Sequence, residues 1–139
     1  MDPQLRSILE VSRAIFESGP PLRLAMLFGS AARSRLRPES DVDLAILPRD
    51  PDLPLAEELE LERRLEAALG RPVDFVRLDR ASTLLRWEVA RRGIAVLAGP
   101  GERTRFLVDA AAEYGDFAPD LERAARRFQD RLIGAGPRE

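Results

Sequence analysis

Short apolar runs of strand length recur along most of the chain. They cover residues 22–28, 42–47, 72–78 and 94–97, with glycine, proline or aspartate near their ends. Apolar residues at helical spacing fill the intervals between these runs. Because the two patterns alternate, the sequence predicts an α+β domain with an alternating α/β order, in which helices flank a small sheet.

Turn and capping residues mark the ends of the first two predicted helices. Asp2 followed by Pro3 is typical of a helix start, and this helix is predicted to end at Gly19. Ser30 is predicted to cap a short helix after the first strand, and Pro38 stops that helix. The first apolar run is therefore followed by a tight helical turn rather than by a second strand.

Two further helices are predicted between the second and fourth strands. One begins at Pro54 and ends at Gly70. The other covers residues 80–92. The apolar side of the earlier helix is predicted to consist of Leu55, Leu59, Leu65 and Leu69.

The clearest break in the chain is the Gly-Pro-Gly sequence at residues 99–101. It divides a predicted domain, residues 1–98, from a predicted C-terminal helical tail, residues 99–139. Within the tail, residues 102–133 have the pattern of two helical segments separated by Pro119. The tail either packs on the domain or contacts a partner, and its apolar stripe includes Leu121, Phe128 and Leu132.

Composition limits the chemistry that this chain can perform. The 139 residues suit one compact domain, and the net charge of -2 argues against direct binding of nucleic acid. The chain has no cysteine and no histidine, which excludes thiol nucleophiles, Ser-His triads and zinc sites built from these residues. A metal must be held by carboxylates, which favours Mg²⁺ or Mn²⁺. Because no apolar run is long enough to span a bilayer, we expect a soluble, cytoplasmic protein without membrane contact.

Two acidic residues, Asp41 and Asp43, open the second strand. Residues two apart on a strand point to the same face, so both carboxylates are directed at one region of space. If the strand that carries Asp74 is a neighbour, its carboxylate joins them. Two carboxylates about 5 Å apart repel by roughly 3 kcal/mol at an effective dielectric constant of 20, which bound divalent cations relieve. Such a set fits two metal ions in an in-line phosphoryl or nucleotidyl transfer.

A possible phosphate-binding turn precedes these acids. Gly29 ends the first strand, where the backbone can approach a phosphate, and Ser30 offers a hydroxyl and backbone N–H groups. Arg33 follows one turn later and can pair with triphosphate oxygens. Ser40 either caps a turn or donates to phosphate. Each feature alone has an ordinary structural explanation, and it is their order along the chain that favours a functional site.

The order of these motifs resembles the signature of the DNA polymerase β-like nucleotidyltransferase superfamily, in particular its minimal (MNT) branch. The residues that carry the resemblance are Gly29-Ser30, Ala32-Arg33 and Ser40-Asp41-Val42-Asp43-Leu44. The resemblance implies a palm-like domain that binds ATP and two Mg²⁺ ions. It implies metal-ligand roles for Asp41, Asp43 and Asp74 and triphosphate contacts for Gly29 and Ser30. One departure is Ser34, since the family commonly has glycine after the arginine.

The tail resembles the C-terminal segment of MntA-type antitoxins, which are encoded beside HEPN-domain ribonuclease toxins. The residues that carry this resemblance are Arg105-Phe106, Glu113-Tyr114, Asp116-Phe117 and the stripe from Leu121 to Leu132. It implies transfer of AMP from ATP to a tyrosine of the toxin partner, which silences the toxin. Two alternatives remain: nucleotidyl transfer to a small molecule such as an aminoglycoside or to an RNA end, and neutralisation of a toxin by binding alone.

Overall fold

The computed structural model describes residues 1–135, apart from the side chains of residues 117–118, 121–122, 124–125, 128–129 and 131–135. The elements follow the predicted alternation of helix and strand. In chain order they are α1 (Pro3–Glu17), β1 (Leu22–Phe28), α2 (Gly29–Ala32), β2 (Val42–Pro48), α3 (Leu55–Leu69), β3 (Val73–Arg77), a 3₁₀ turn (Leu78–Arg80), α4 (Thr83–Arg92), β4 (Ile94–Ala98) and α5 (Glu102–Ala135). All four predicted strands are confirmed, with bounds that differ by a residue at most.

The four strands form one mixed sheet in the order β3-β2-β1-β4. Strand β1 is antiparallel to both of its neighbours, β2 and β4. Strand β3 is parallel to β2, and α3 makes the crossover between them. The predicted α+β fold with a small mixed sheet and flanking helices is therefore confirmed.

Helices cover both faces of the sheet. One apolar cluster joins α1 and α3 to the sheet face that carries Val42, Leu44 and Ile46. A second cluster joins α4 and α5 to the opposite face, which carries Ala45 and Leu47. Burial on both faces explains why β1 and β2 are almost continuously apolar. Since side chains alternate along a strand, Asp43 lies on the face covered by α4 and α5.

Local capping explains where several helices begin and end. The Asp2 side chain accepts a hydrogen bond from the Leu5 N–H at 3.1 Å, as predicted for the start of α1. Gly70 ends α3 in the left-handed conformation, with φ of +70°. The helix predicted over 80–92 begins later than expected, because Ser82 caps α4 and a 3₁₀ turn precedes it.

The predicted apolar side of α3 is only partly correct. Leu65 is fully buried, but Leu55 and Leu59 are 65% and 52% exposed. The buried side is instead centred on Leu61 and Leu65, about a third of a turn away from the exposed pair. The sequence contains apolar residues on two sides of this helix, and packing against α1 and the sheet selects one of them.

The C-terminal region forms one helix rather than the two predicted segments. Helix α5 runs through Pro119, although proline removes a backbone donor. Strong helix formers on both sides of Pro119 favour continuation of the helix. Early in α5, Phe106 and Ala110 are buried against the sheet, so this part belongs to the compact unit. The predicted stripe of Leu121, Phe128 and Leu132 lies outside the described side chains.

No helix in the described part of the chain is both long and apolar enough to cross a bilayer. This holds for α5 as well, despite its 34 residues. Its described portion is rich in arginine and acidic residues, which a bilayer would exclude.

Replacing Ser12 by alanine should stabilise the protein. The Ser12 side chain is fully buried in α1, and its hydroxyl finds no hydrogen-bond partner among the described residues. Removing this hydroxyl relieves its desolvation cost and improves helix propensity, so the free energy of unfolding should rise by about 1 kcal/mol. Urea denaturation measures the change. Ser7→Ala, at an exposed position of the same helix, is the control, and an equal gain in both variants would contradict the explanation.

Candidate active site

Three acidic residues meet where β2 and β3 begin. The parallel register places Asp43 directly beside Asp74. Asp41 precedes β2 by one residue and stands two positions before Asp43. Strand β1 ends beside them, because Phe28 pairs with Asp43 across the antiparallel ladder. The structure therefore places Asp43 directly beside Asp74, and it places Asp41 within electrostatic range of Asp43.

The environment of Asp43 is unfavourable for its negative charge. Its pKa is raised from 3.8 to about 6, first by burial and then by the Asp74 charge and a side-chain hydrogen bond with Asp74. The charge of Asp41 raises the pKa further. Two of the three carboxylates are therefore close enough to share a proton, and the third lies within electrostatic range.

This pKa predicts how stability depends on pH in the absence of ligands. An acid with a raised pKa holds a proton in the folded state that the unfolded chain has released. Asp43 should therefore lower the stability as the pH rises from its ordinary pKa of 3.8 to about 6, and the loss should persist above that range. Thermal unfolding across this pH range measures the slope. The Asp43→Asn variant should lose this slope, and an unchanged slope would contradict the assignment.

Gly29 allows the backbone to approach the Asp43 carboxylate. It adopts a left-handed conformation, with φ of +70°. A Cβ atom at this position would lie 2.0 Å from Asp43 Oδ2, far inside van der Waals contact. Only glycine fits there, because both the backbone conformation and the space exclude a side chain. The sequence predicts backbone contact with a phosphate at Gly29, and the structure adds its contact with the acidic cluster.

The structure corrects the predicted role of Ser30. Helix α2 begins one residue earlier, at Gly29, and no side chain caps it. Ser30 is the second residue of this helix, and its carbonyl accepts the N–H groups of Arg33 and Arg35. The helix starts early because Gly29 turns the chain directly out of β1. Ser30 therefore stands beside Gly29 with a hydroxyl that does not cap the helix.

Arg33 is the capping residue that follows α2, and its side chain is exposed. Ser34 follows it in the left-handed conformation, with φ of +55°. The family resemblance implies glycine at this position, and the left-handed backbone of Ser34 accounts for that expectation. The turn keeps its shape with serine, because the N–H of Ser34 donates to Ala31 and that of Arg35 to Ser30.

Replacing Ser34 by glycine should stabilise the protein by about 0.5–1 kcal/mol. The substitution removes the cost of a left-handed non-glycine residue, partly offset by the greater backbone entropy of glycine when unfolded. Chemical denaturation measures the difference. Ser34→Ala, which keeps the Cβ atom, should give no gain. Equal stabilisation by both variants would show that backbone strain at this position is not the cause.

Ser40 adopts the first of its two predicted roles. Its hydroxyl oxygen accepts the Arg37 N–H at 3.2 Å, and its own N–H donates to the Arg37 carbonyl at 3.0 Å. These bonds close a turn immediately before Asp41. A phosphate contact by the Ser40 hydroxyl stays a prediction.

Arg71 contributes to this region but was not identified from the sequence. One of its terminal nitrogens donates to the carbonyls of Arg37 at 2.9 Å and Ser40 at 3.3 Å. An arginine between Gly70 and Pro72 carries no recognisable signal, because its partners are backbone atoms 31 and 34 residues earlier. Only the parallel placement of β2 beside β3 brings the two segments together.

The donor atoms of the site fit a hard divalent cation bound together with a phosphate. All three candidate ligands are carboxylates, and burial together with the charges of Asp74 and Asp41 raises the pKa of Asp43. Among the side chains that the structure describes, no three acidic residues form a ready-made metal cage. Magnesium is commonly held by one or two carboxylates plus substrate phosphates rather than by such a cage. The adjoining pair Asp43 and Asp74, with Asp41 beside it, fits that manner of binding.

Residues 11–99 match the family described as Polymerase beta, Nucleotidyltransferase. The matched region includes β1, α2, β2, β3 and all three acids. This chain belongs to that nucleotidyltransferase family.

A curated relative and solved structures agree with this membership. Protein adenylyltransferase MntA of Shewanella oneidensis is 34% identical over 105 residues, which are 76% of this chain and 75% of the relative. A chain from a crystal structure of a toxin–antitoxin with AMP-PNP has a TM-score of 0.70 and 28% identity, covering 93% of this chain and 98% of that chain. A chain from a structure of tri-AMPylated Shewanella oneidensis HEPN toxin in complex with MNT antitoxin has a TM-score of 0.63 and 27% identity, covering 94% and 96%.

The family and the fold establish the class of reaction. The predicted polymerase β-like architecture is confirmed, and the chain is a nucleotidyltransferase. The roles of Asp41, Asp43 and Asp74 as catalytic and metal-binding residues stay predictions, as do the nucleotide contacts of Gly29, Ser30, Arg33 and Ser40.

Proposed function

We propose that this nucleotidyltransferase is an antitoxin that transfers AMP from ATP to a tyrosine of a HEPN ribonuclease toxin. The observation that carries the proposal is the contact between the Asp43 and Asp74 carboxylates beside Gly29, with Asp41 two residues away. An acidic cluster that lowers stability without ligand has a reason to exist if it binds a metal–nucleotide complex.

In the proposed mechanism, the three acids have different roles because they differ in exposure. Asp43 is half-buried against Gly29, whereas Asp74 is exposed on β3, at the edge of the sheet. Asp41 and Asp43, with Asp74, would hold two Mg²⁺ ions next to the triphosphate. Bound Mg²⁺ would neutralise phosphate charge and polarise the α-phosphate for in-line attack. Gly29 and Ser30 contact the phosphates, and Arg33, exposed one turn later, pairs with their oxygens.

The exposure of Asp74 fits an acceptor that arrives on another protein. The tyrosyl oxygen forms a bond to the α-phosphorus of ATP, the bond to the β-phosphate oxygen breaks, and pyrophosphate leaves. Asp74 orients the tyrosyl hydroxyl and accepts its proton. An edge strand with an exposed carboxylate leaves room for a partner side chain to reach this position.

The comparisons support the choice of ATP and of a toxin as substrates. The similar chains include a protein adenylyltransferase, a toxin–antitoxin with AMP-PNP and an MNT antitoxin in complex with a tri-AMPylated HEPN toxin. Alignments covering 93% and 94% of this chain include most of α5 as well as the sheet. The same activity is therefore the simplest assignment for this chain.

The test is to incubate the protein and its HEPN partner with Mg²⁺ and ATP labelled in the α-phosphate. We expect label on the partner, loss of label when the acceptor tyrosine is replaced by phenylalanine, and no transfer in the presence of EDTA. ATP labelled in the γ-phosphate should leave the partner unlabelled. Label on an antibiotic or an RNA end but on no protein would contradict the proposal, as would an unlabelled partner beside an active control enzyme.

A further inference from the structure

The segment that presents Asp41 has little regular structure of its own. After α2 ends, residues 33–41 contain turns but no helix or strand. The hydrogen bonds between Arg37 and Ser40 close a turn at its end. Such a turn fixes its own shape but does not determine where it lies relative to the sheet. On the C-terminal side of Asp41, the pairing of Val42 fixes the chain, so a contact that holds the turn would fix the N-terminal side as well.

Arg71 supplies contacts of this kind. Its guanidinium donates to the carbonyls at both ends of the turn, Arg37 and Ser40, and both bonds come from one nitrogen. Several other arginines in the described chain pair with carboxylates, such as Arg23 with Glu102 at 2.7 Å. Arg71 instead uses its charged donor on two main-chain oxygens of a single turn. Hydrogen bonds from a charged group are stronger than those between neutral groups.

Arg71 is itself attached to the rigid part of the fold. It lies between the C-terminus of α3 and the start of β3. The next residue, Pro72, accepts the Val42 N–H at 3.0 Å, which begins the pairing of β2 with β3. The side chain also borders a cavity of about 280 Å³ between α1 and α3, beside Ile8 and Leu69. Arg71 therefore connects the turn at residues 37–40 to the strand that carries Asp74.

We propose that Arg71 is a positioning residue that holds the turn at residues 37–40 and thereby keeps Asp41 beside Asp43 and Asp74. Consecutive Cα atoms are about 3.8 Å apart, so fixing the Ser40 carbonyl restricts Asp41 directly. The effect on catalysis rests on the proposed function of the three acids. The effect on the backbone does not, because these hydrogen bonds join protein atoms only.

The first experiment measures backbone protection in the ligand-free protein. Arg71→Met keeps most of the side-chain volume but removes the donors. The amides of Ser40 and Val42, which are hydrogen-bonded beside Arg71, should exchange with deuterium at least about tenfold faster. Arg71→Lys, which retains a charged donor, should restore part of the protection. The amides inside β1 should exchange at the wild-type rate in both variants.

Arg64→Met is the matched control. Arg64 is also partly buried and makes a 2.6 Å hydrogen bond to another element, to the Ser18 hydroxyl at the C-terminus of α1. Its loss should leave the Ser40 and Val42 amides unchanged. The proposal is overturned if Arg71→Met leaves these amides at the wild-type rate, if Arg64→Met accelerates them equally, or if the β1 amides accelerate to the same extent. The last result would show a general loss of stability instead of a positioning role.

The second experiment measures how AMP transfer depends on Mg²⁺. A displaced Asp41 should weaken metal binding, so Arg71→Met should raise the Mg²⁺ concentration at half-maximal rate about tenfold, with kcat largely recovered at saturation. If the wild-type protein is active and Arg71→Met has the same Mg²⁺ dependence, the proposed effect of Arg71 on catalysis is overturned. If the wild-type protein transfers no AMP, the proposed function fails, and the exchange measurement still decides whether Arg71 fixes the turn.

Discussion

Replacing Asp43 by asparagine should reduce AMP transfer by at least about a thousandfold while leaving the protein folded. The carboxylate contacts Asp74, lies against Gly29 and has a pKa raised to about 6. Asparagine preserves the shape but removes a charged metal ligand. Metal ions contribute several kcal/mol to charge stabilisation in the transition state, and each 1.36 kcal/mol corresponds to a factor of ten in rate. Transfer of the α-phosphate label under single-turnover conditions measures the loss.

Asp52→Asn is the control for this substitution. Asp52 is exposed in the turn after β2, beyond the opposite end of the strand. We expect wild-type transfer from this variant. The same two variants separate catalysis from binding, since an antitoxin that acts by binding alone would neutralise its partner fully with asparagine at position 43. Full neutralisation by Asp43→Asn would reject AMP transfer as the neutralising event.

Replacing Gly29 by alanine should damage both stability and activity. The new Cβ atom would lie 2.0 Å from Asp43 Oδ2, so either the carboxylate or the end of β1 must move. The left-handed backbone at this position adds about 1 kcal/mol for a residue with a Cβ atom. A displacement of about 1 Å in an active site costs on the order of a hundredfold in rate. Denaturant unfolding and label transfer measure the two effects.

Gly101→Ala separates the two causes. Gly101 has φ of +72°, almost the same as Gly29, but no atom lies within 4 Å of an added Cβ. This variant should lose only the backbone contribution, about 1 kcal/mol, and keep wild-type transfer. Equal activity of the two variants would show that the contact between Gly29 and Asp43 does not matter for the reaction.

Several predictions that came from local chemistry are confirmed. The cap at Asp2, the left-handed end of α3 at Gly70 and the four strand positions all depend on neighbouring residues. Ser34 is a related case. It stands where the family resemblance implies glycine, and the structure shows that its backbone is left-handed. Such features can be predicted from sequence since they involve few residues and little packing.

The predictions that failed depend on competition between alternatives that the sequence leaves open. The α3 helix has apolar residues on two sides, and only contact with α1 and the sheet exposes Leu55 and Leu59. A helix that runs through Pro119 loses one backbone hydrogen bond at the proline but keeps the many hydrogen bonds on both sides of it. The sequence does not show which of these effects is larger. Ser30 lost its predicted capping position because Gly29 starts α2 one residue earlier.

By itself, the sequence determined that two acids share one face at the start of an apolar strand, because side chains on a strand alternate with a period of two. It also determined that oxygen ligands alone are available, since the chain has neither histidine nor cysteine. Only the tertiary structure decided that Asp74 lies beside Asp43, that Gly29 lies against the Asp43 carboxylate and that Arg71 holds the turn before Asp41. These contacts join residues that are 14 to 34 positions apart. Strand order and register create them, and both follow from packing the whole sheet between its two layers of helices.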